Sequence, residues 1–221
     1  SKSVLKDLET FTKTYPKVFS PHPLYDHFGE NIQKELAKKN SGLDPNTDYL
    51  LFFGFISDYK GLDWLIEAFA DERFRKMNLK LIVAGEFYTD AKPYHELIAK
   101  YKLEKEIILR TDFIPDSKVG DYFCAADIIV QPYKDATQSG VTQIGYHFDK
   151  PMLVTNVGGL GEIIPHGKAG YVVAPDPKAI ADALVDFYEN KREAEFAAFA
   201  KEEKKKYSWD VMIGEVKKLM K

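Results

Sequence analysis

The sequence holds a single cysteine, Cys124, among its 221 residues. One thiol allows no internal disulfide, a usage that suits a reducing compartment such as the cytoplasm. Cys124 stands in DYFCAAD with no charge placed to activate it, and reads as a small buried hydrophobe. Long apolar runs are missing too; none reaches the ~18 residues that a membrane span requires. The amino-terminal SKSVLKDLETF lacks the apolar stretch of a signal peptide. It starts without Met inside a helical pattern, which leads us to expect a longer parent protein. Charge of one sign is scarce as well, because 31 Lys and Arg against 34 Asp and Glu leave a net −3. That balance gives no global attraction to nucleic acid or to an anionic membrane. The histidines form no H-E-x-x-H or Cys/His spacing and no Asp-x-Asp pair follows a strand, so the pattern calls for no metal ion. A G-x-S-x-G elbow and a Walker lysine are absent.

What is present is a chain that is 45% hydrophobic and 14% aromatic, enough for a well-filled core. Short, continuous apolar runs predict strands at Tyr49–Phe53, Leu79–Ala84, Ile107–Arg110, Ile128–Gln131, Met152–Thr155 and Gly170–Val173. Continuous runs suit strands buried on both faces of a parallel sheet. Helical patterns at Leu62–Phe69, Tyr94–Tyr101, Lys118–Ala125 and Ala179–Tyr188 lie between and after them. This alternation predicts an α/β fold, a doubly wound parallel six-stranded sheet with helices on both faces. Ligands of such sheets bind beyond the carboxyl ends of the strands. The flanks differ from this core. Residues 1–45 predict a helix fragment, a short strand at Val18–Ser20, the loop SPHPLYDHFG and a charged helix, Asn31–Lys39. Residues 191–221 predict Lys/Glu-rich helices, with Ser208 capping the last and KEEKKKY as a solvated face.

Three post-strand segments offer chemistry. GFISDYKG, residues 54–61, puts Lys60 just before a helix start, where anions are favoured. Lys60 reads either as a diphosphate ligand, whose replacement by Ala is expected to weaken diphosphate binding and hardly change stability, or as an ordinary surface lysine with Gly61 a turn. KDATQSGVTQIGYHFDKP, residues 134–151, crowds Thr137, Gln138, Ser139, Thr142 and Gln143 around a helix start at Gly140. It reads either as a cradle for phosphate and sugar oxygens or as a helix capped by Ser139. TNVGGLGE, residues 155–162, is glycine-rich but follows the fifth strand, which argues against a dinucleotide fingerprint. Its Glu162 either accepts a hydroxyl hydrogen bond or caps a short helix.

Five collinear segments resemble glycosyltransferase family four (group 1), retaining enzymes of the GT-B fold. The family's G-R-L-x-x-x-K-G-x-D-x-L-I-E-A-F appears as GFISDYKGLDWLIEAF, and its strand ending V-G-x-G as LIVAGE. Its A-A-D-x-x-V-x-P appears as AADIIVQP, its K-P-V-I-A-T-D-V-G-G-x-P-E-x-I as KPMLVTNVGGLGEII, and its G-L-L-V-P-P-x-D-P as GYVVAPDP. The resemblance implies that residues 46–190 form a Rossmann-like domain binding a nucleotide-diphosphate sugar, without cofactor or metal. Residues 1–45 would be an interdomain linker with a remnant of the N-terminal domain, and 191–221 the C-terminal helices, including a crossover helix. The partner implied is the missing N-terminal acceptor domain of the same chain. No nucleic acid and no membrane span are implied; peripheral contact with the inner membrane face would come through that missing half. A bacterial cell-envelope role is implied as well.

The same resemblance assigns roles. Lys60 would be the catalytic residue, contacting the diphosphate and stabilising the leaving group. The backbone at Val141 and Thr142, past Gly140, would hold the distal phosphate, and Ile114 would meet the base. Gly54, Phe55, Ser57, Gly85, Thr137, Gln138, Ser139 and Gln143 complete the substrate-binding set. Departures accompany the match. Phe55 replaces the family's Arg, and its two glutamates fall at Thr137 and Gly145, with Thr137, Gln138 and Gln143 as substitutes. Two other functions fit the same pattern: a sugar-nucleotide epimerase half on this fold, and a non-catalytic nucleotide-binding or interaction module.

Overall fold

The computed structural model describes residues 1–220. Six strands form one sheet: β1 (Asp48–Phe53), β2 (Leu79–Ala84), β3 (Ile107–Arg110), β4 (Ile128–Gln131), β5 (Met152–Thr155) and β6 (Gly170–Val173). Every pairing is parallel and the order is β3-β2-β1-β4-β5-β6. The strand bounds agree with the apolar runs, except that β1 begins one residue earlier, at Asp48. The reason for the agreement is burial on both sides. In β1, Leu50 and Phe52 enter one core while Tyr49 and Leu51 enter the other, so no polar alternation is needed.

The helices sort by face. α3 (Leu62–Phe69), α4 (Lys92–Tyr101) and α7 (Pro177–Glu189) give Leu65, Tyr94 and Leu184 to the first core. α2 (Lys34–Asn40), α5 (Asp116–Ala125) and α6 (Gly140–His147) give Ala37, Phe123 and Tyr146 to the second. α8 (Glu193–Glu203) serves both, through Phe196 and Ala200. Cys124 is 1% exposed in the second core, and burial pushes its thiol pKa up, as its apolar context predicts.

The flanks depart from expectation at two points. Val18–Ser20 forms no strand; that stretch runs as irregular chain. The charged helix begins at Lys34, three residues later than predicted, and Gln33 at its start makes no side-chain cap. Other details follow the sequence. Ser208 Oγ accepts the Val211 N–H to cap α9 (Trp209–Leu219). The KEEKKKY run departs in part from the solvated face expected of it: Lys201, Glu202, Lys205 and Lys206 face solvent, while Glu203 and Tyr207 are buried. α1 (Lys2–Phe11) and α9 both display apolar side chains to solvent, among them Val4, Leu8, Ile213 and Val216. Among the described residues no helix is long and apolar enough to cross a membrane.

Strand order reverses between β1 and β4. The connections leaving these neighbours travel in opposite directions, which opens a crevice at their carboxyl ends. The two segments in question are residues 54–61 and 132–140.

Candidate functional site

The 54–61 segment turns through a 3-10 turn, Asp58–Lys60, and enters α3 at Gly61. Gly61 has φ +68°, and a Cβ there would stand 2.0 Å from the Pro132 carbonyl oxygen. Only glycine lets the first segment approach the second this closely. The approach carries Lys60 into the crevice. Its side chain is 9% exposed and its ammonium lies 5.3 Å from the Tyr133 ring centroid. A Cβ on Gly54 would come within 3.2 Å of Lys60 Nζ. Burial lowers the Lys60 pKa, and no carboxylate is near enough to counter that. The neighbouring Lys134, in contrast, pairs with Asp63 at 2.6 Å. Lys60 is therefore no surface lysine, which corrects one of the two readings of the sequence.

Facing Lys60 is the start of α6. Its first N–H groups have no intrahelical acceptor, and no side chain caps them. Ser139 occupies the cap position, but its hydroxyl lies 3.3 Å from the Tyr133 hydroxyl instead of turning back to the helix. The capped-helix reading is thus corrected too. Tyr25 lies over this helix start, where a Cβ on Gly140 would stand 2.6 Å from its ring. Together these elements enclose a cavity of about 370 Å³ lined by Lys60, Tyr133, Gln138, Ser139, Gly140 and Val141, and roofed by Tyr25, His27 and Phe28.

A second cavity, about 340 Å³, lies on the other side of Lys60, against Gly54, Phe55, Gly85, Phe113 and Ile114. Gly85 is required here for packing: a Cβ would stand 2.3 Å from the Gly54 carbonyl oxygen. Phe55 stacks near Tyr88, ring centroids 4.2 Å apart, and forms an apolar wall where the related family carries Arg. Glu86 and Asp116 supply carboxylates to the same cavity.

The predicted residues divide accordingly. Lys60, Gln138, Ser139, Gly140 and Val141 meet in the first cavity, and Gly54, Phe55, Gly85 and Ile114 in the second. Gln143 lines a smaller adjoining cavity. Ser57 and Thr137 line none of these. Thr142 is fully buried, its hydroxyl donating to Gln131 Oε1 at 3.2 Å, so only its backbone is at the helix start. Gly145 is on the wrong side of α6: a Cβ would meet Met152 Sδ at 2.6 Å. The residue of α6 that reaches the cavity one turn below Val141 is Ile144. Glu162 accepts the Lys2 N–H at 2.8 Å, away from the first cavity. Among the described residues no three His, Cys, Asp or Glu side chains gather as metal ligands would.

Sequence reading missed Tyr25, His27 and Phe28. The density of rings in SPHPLYDHFG was their signal, but a loop over a hundred residues from α6 gives no hint of where it lands.

Comparison with known proteins places the chain in a class. Residues 47–190 match the group 1 glycosyl transferases, and the chain belongs to that family. It is 29% identical over 158 residues to a D-inositol 3-phosphate glycosyltransferase of Pseudarthrobacter chlorophenolicus, a match over 70% of this chain and 37% of that protein. The chain therefore spans less than half the length of this relative. Among solved structures it is similar to sucrose-phosphate synthase from Thermosynechococcus elongatus, with TM-score 0.85, 17% identity, and coverage of 100% of this chain and 57% of that one. It is also similar to Anabaena HepE in complex with UDP, with TM-score 0.78, 17% identity, and coverage of 92% and 57%. These likenesses bear out the α/β, Rossmann-like GT-B fold expected from the sequence.

Proposed function

We propose that this chain is the donor-binding half of a retaining glycosyltransferase, and that it holds a nucleoside-diphosphate sugar whose hexosyl group passes to an acceptor hydroxyl. One observation carries the reading. Lys60 is a buried cation with no carboxylate partner, and it faces a helix start whose N–H groups are uncapped. An unpaired buried charge is costly. A diphosphate seated between the ammonium and the helix start removes that cost and satisfies the free N–H groups.

The chemistry follows from this placement. Breaking the bond between the anomeric carbon and the diphosphate oxygen leaves the electron pair on the diphosphate. Lys60 and the α6 amides stand where that charge develops, and they stabilise it without reorganisation. With this positive charge supplied by the protein, no metal ion is called for. The apolar slot beside Phe55 and Ile114 takes the base, and Phe28 closes the site from above. The acceptor is held by another part of a longer protein. The complex of Anabaena HepE with UDP supports the choice of ligand class, and family membership supports the reaction.

Calorimetry with UDP, GDP and ADP tests the proposal. Binding of at least one at millimolar concentration or below is expected. If none binds, the cavity is not a nucleotide site.

A further inference from the structure

At the amino ends of the strands, opposite the crevice, lies a cavity that nucleotide binding does not use. It measures about 210 Å³ and sits between the end of α3, a 3-10 turn at Phe74–Lys76, the start of β2 and the turn from α4 to β3. Phe69, Phe74, Leu79 and Leu103 lay its floor. All four belong to the first core, so core packing holds the floor in place.

Two charged side chains stand on the walls, Arg75 and Glu106. Backbone contacts position both. Arg75 Nη2 donates to the Tyr101 carbonyl oxygen at the end of α4, at 3.2 Å, which leaves the rest of its five N–H donors unused. The Glu106 N–H donates to the Leu103 carbonyl oxygen at 3.1 Å and closes the turn into β3. Among the described residues neither side chain has an ion-pair partner, and the two do not pair with each other. Arg73 provides the contrast: its guanidinium meets Asp71 at 2.6 Å and Asp182 at 2.7 Å. One small space thus offers a cation, an anion and an apolar floor, with the two charges held apart.

That combination narrows the ligand. A fatty acid or a phosphate would bring a second negative charge to Glu106, and a simple amine a second positive charge to Arg75. A nucleotide sugar is too large, because the space is smaller than the ~300–1,000 Å³ of pockets for drug-sized molecules. We propose that this cavity binds a free α-amino acid with an apolar side chain, its carboxylate on Arg75, its ammonium on Glu106 and its side chain on Phe69, Phe74 and Leu103. Guanidinium and carboxylate make strong, charge-assisted hydrogen bonds, and the side chain takes the floor out of water. In such a molecule both charges and the side chain leave one carbon, which matches two walls and a floor that meet. A residue inside a peptide lacks both charges and a terminal one lacks one of them, so the site selects the free molecule. The proposal is independent of the nucleotide site.

Calorimetry on the 221-residue chain tests it with leucine, methionine and phenylalanine. Each is compared with its N-acetyl derivative, which lacks the ammonium, and its amide, which lacks the carboxylate. At least one free amino acid is expected to bind at millimolar concentration or below, with both derivatives about tenfold weaker, the loss of one hydrogen bond to a charged group. Arg75→Gln should weaken the free amino acid and leave the amide as before; Glu106→Gln should weaken it and leave the N-acetyl form as before. Binding of none of the three overturns the proposal. Equal binding of amino acid and derivatives overturns it too, since the cavity would then be a plain apolar hollow. These two comparisons use the native chain and decide the matter even where a variant fails to fold. In variants whose thermal melts show them folded, an unchanged affinity for the free amino acid would equally overturn it.

Discussion

Lys60 holds its charge where water has been largely withdrawn, and that sets two opposed expectations for one substitution. Burial lowers its pKa from the ordinary 10.5. Between the lowered value and 10.5 the unfolded chain binds more protons than the folded one, so the Lys60 contribution to stability rises with pH through that window. Below the window the folded protein carries the full penalty of a buried, unpaired ammonium. Lys60→Met is therefore expected to raise the thermal midpoint at neutral pH, by a margin that shrinks toward pH 10.5. The same substitution should weaken nucleoside diphosphate binding by about 1.5–3 kcal/mol, the range for a hydrogen bond to a charged group. A bound diphosphate favours the charged amine, so the native chain's affinity should also fall as pH rises through the lowered pKa. Calorimetry and thermal melts at pH 7 and above check both. A lower midpoint together with unchanged affinity would mean that Lys60 serves packing.

At the scale of elements, one carboxylate ties four of them together below the crevice. Asp127, 2% exposed at the foot of β4, accepts the Tyr49 N–H of β1 at 2.7 Å and Lys34 of α2 at 2.6 Å. The Tyr188 hydroxyl of α7 lies 3.4 Å away, and Lys34 also reaches Glu193 at the start of α8. Burial, opposed and outweighed by Asp127 and Glu193, leaves the Lys34 pKa raised. Burial first, and then Asp127, raise that of Glu193. Asp127→Ala removes the acceptor that three donors converge on. Breaking a buried pair from one side costs about 3–5 kcal/mol, and the partial exposure of Lys34 puts the expected loss near the lower end. Urea unfolding should show a lower midpoint, with the nucleotide affinity of the folded protein kept because the site is at the opposite end of the strands. A midpoint unchanged by the substitution would remove Asp127 from the account.

For the whole molecule, the expectation is binding without transfer. Most of the rate of a two-substrate reaction comes from holding the acceptor against the reacting carbon. The sheet provides one crevice, and the chain spans 37% of the length of the inositol-phosphate enzyme it resembles. α1 and α9 meanwhile leave apolar side chains uncovered. We expect this chain alone to move no sugar to lipid or saccharide acceptors from radiolabelled nucleotide sugars, whereas a full-length relative does so. Equal turnover by the two would show that the acceptor site lies within these residues.

The sequence by itself determined the strands and their class. Ile128–Gln131 and Met152–Thr155 are read correctly from apolar continuity because a strand covered on both faces needs no other signal. It also determined which loops to inspect, since alternating strands and helices make a parallel α/β sheet, whose ligands bind beyond the carboxyl ends of the strands. Tertiary structure decided the rest. Val18–Ser20 has the composition of a strand but no neighbour to pair with, and a strand exists only through its partner. Lys60 looks the same in sequence whether exposed or buried; it is the close approach of Gly61 to Pro132, 71 positions apart, that buries it. Ser139 has the chemistry of a cap, and the nearby Tyr133 hydroxyl takes its oxygen away. Gly145 and Ile144 differ by one position, and only the packing of α6 on Met152 shows which of them faces the cavity. Periodicity reports which way a side chain points relative to its own helix or strand. Which atoms wait there is fixed by contacts between segments far apart in the chain, and those form only on folding.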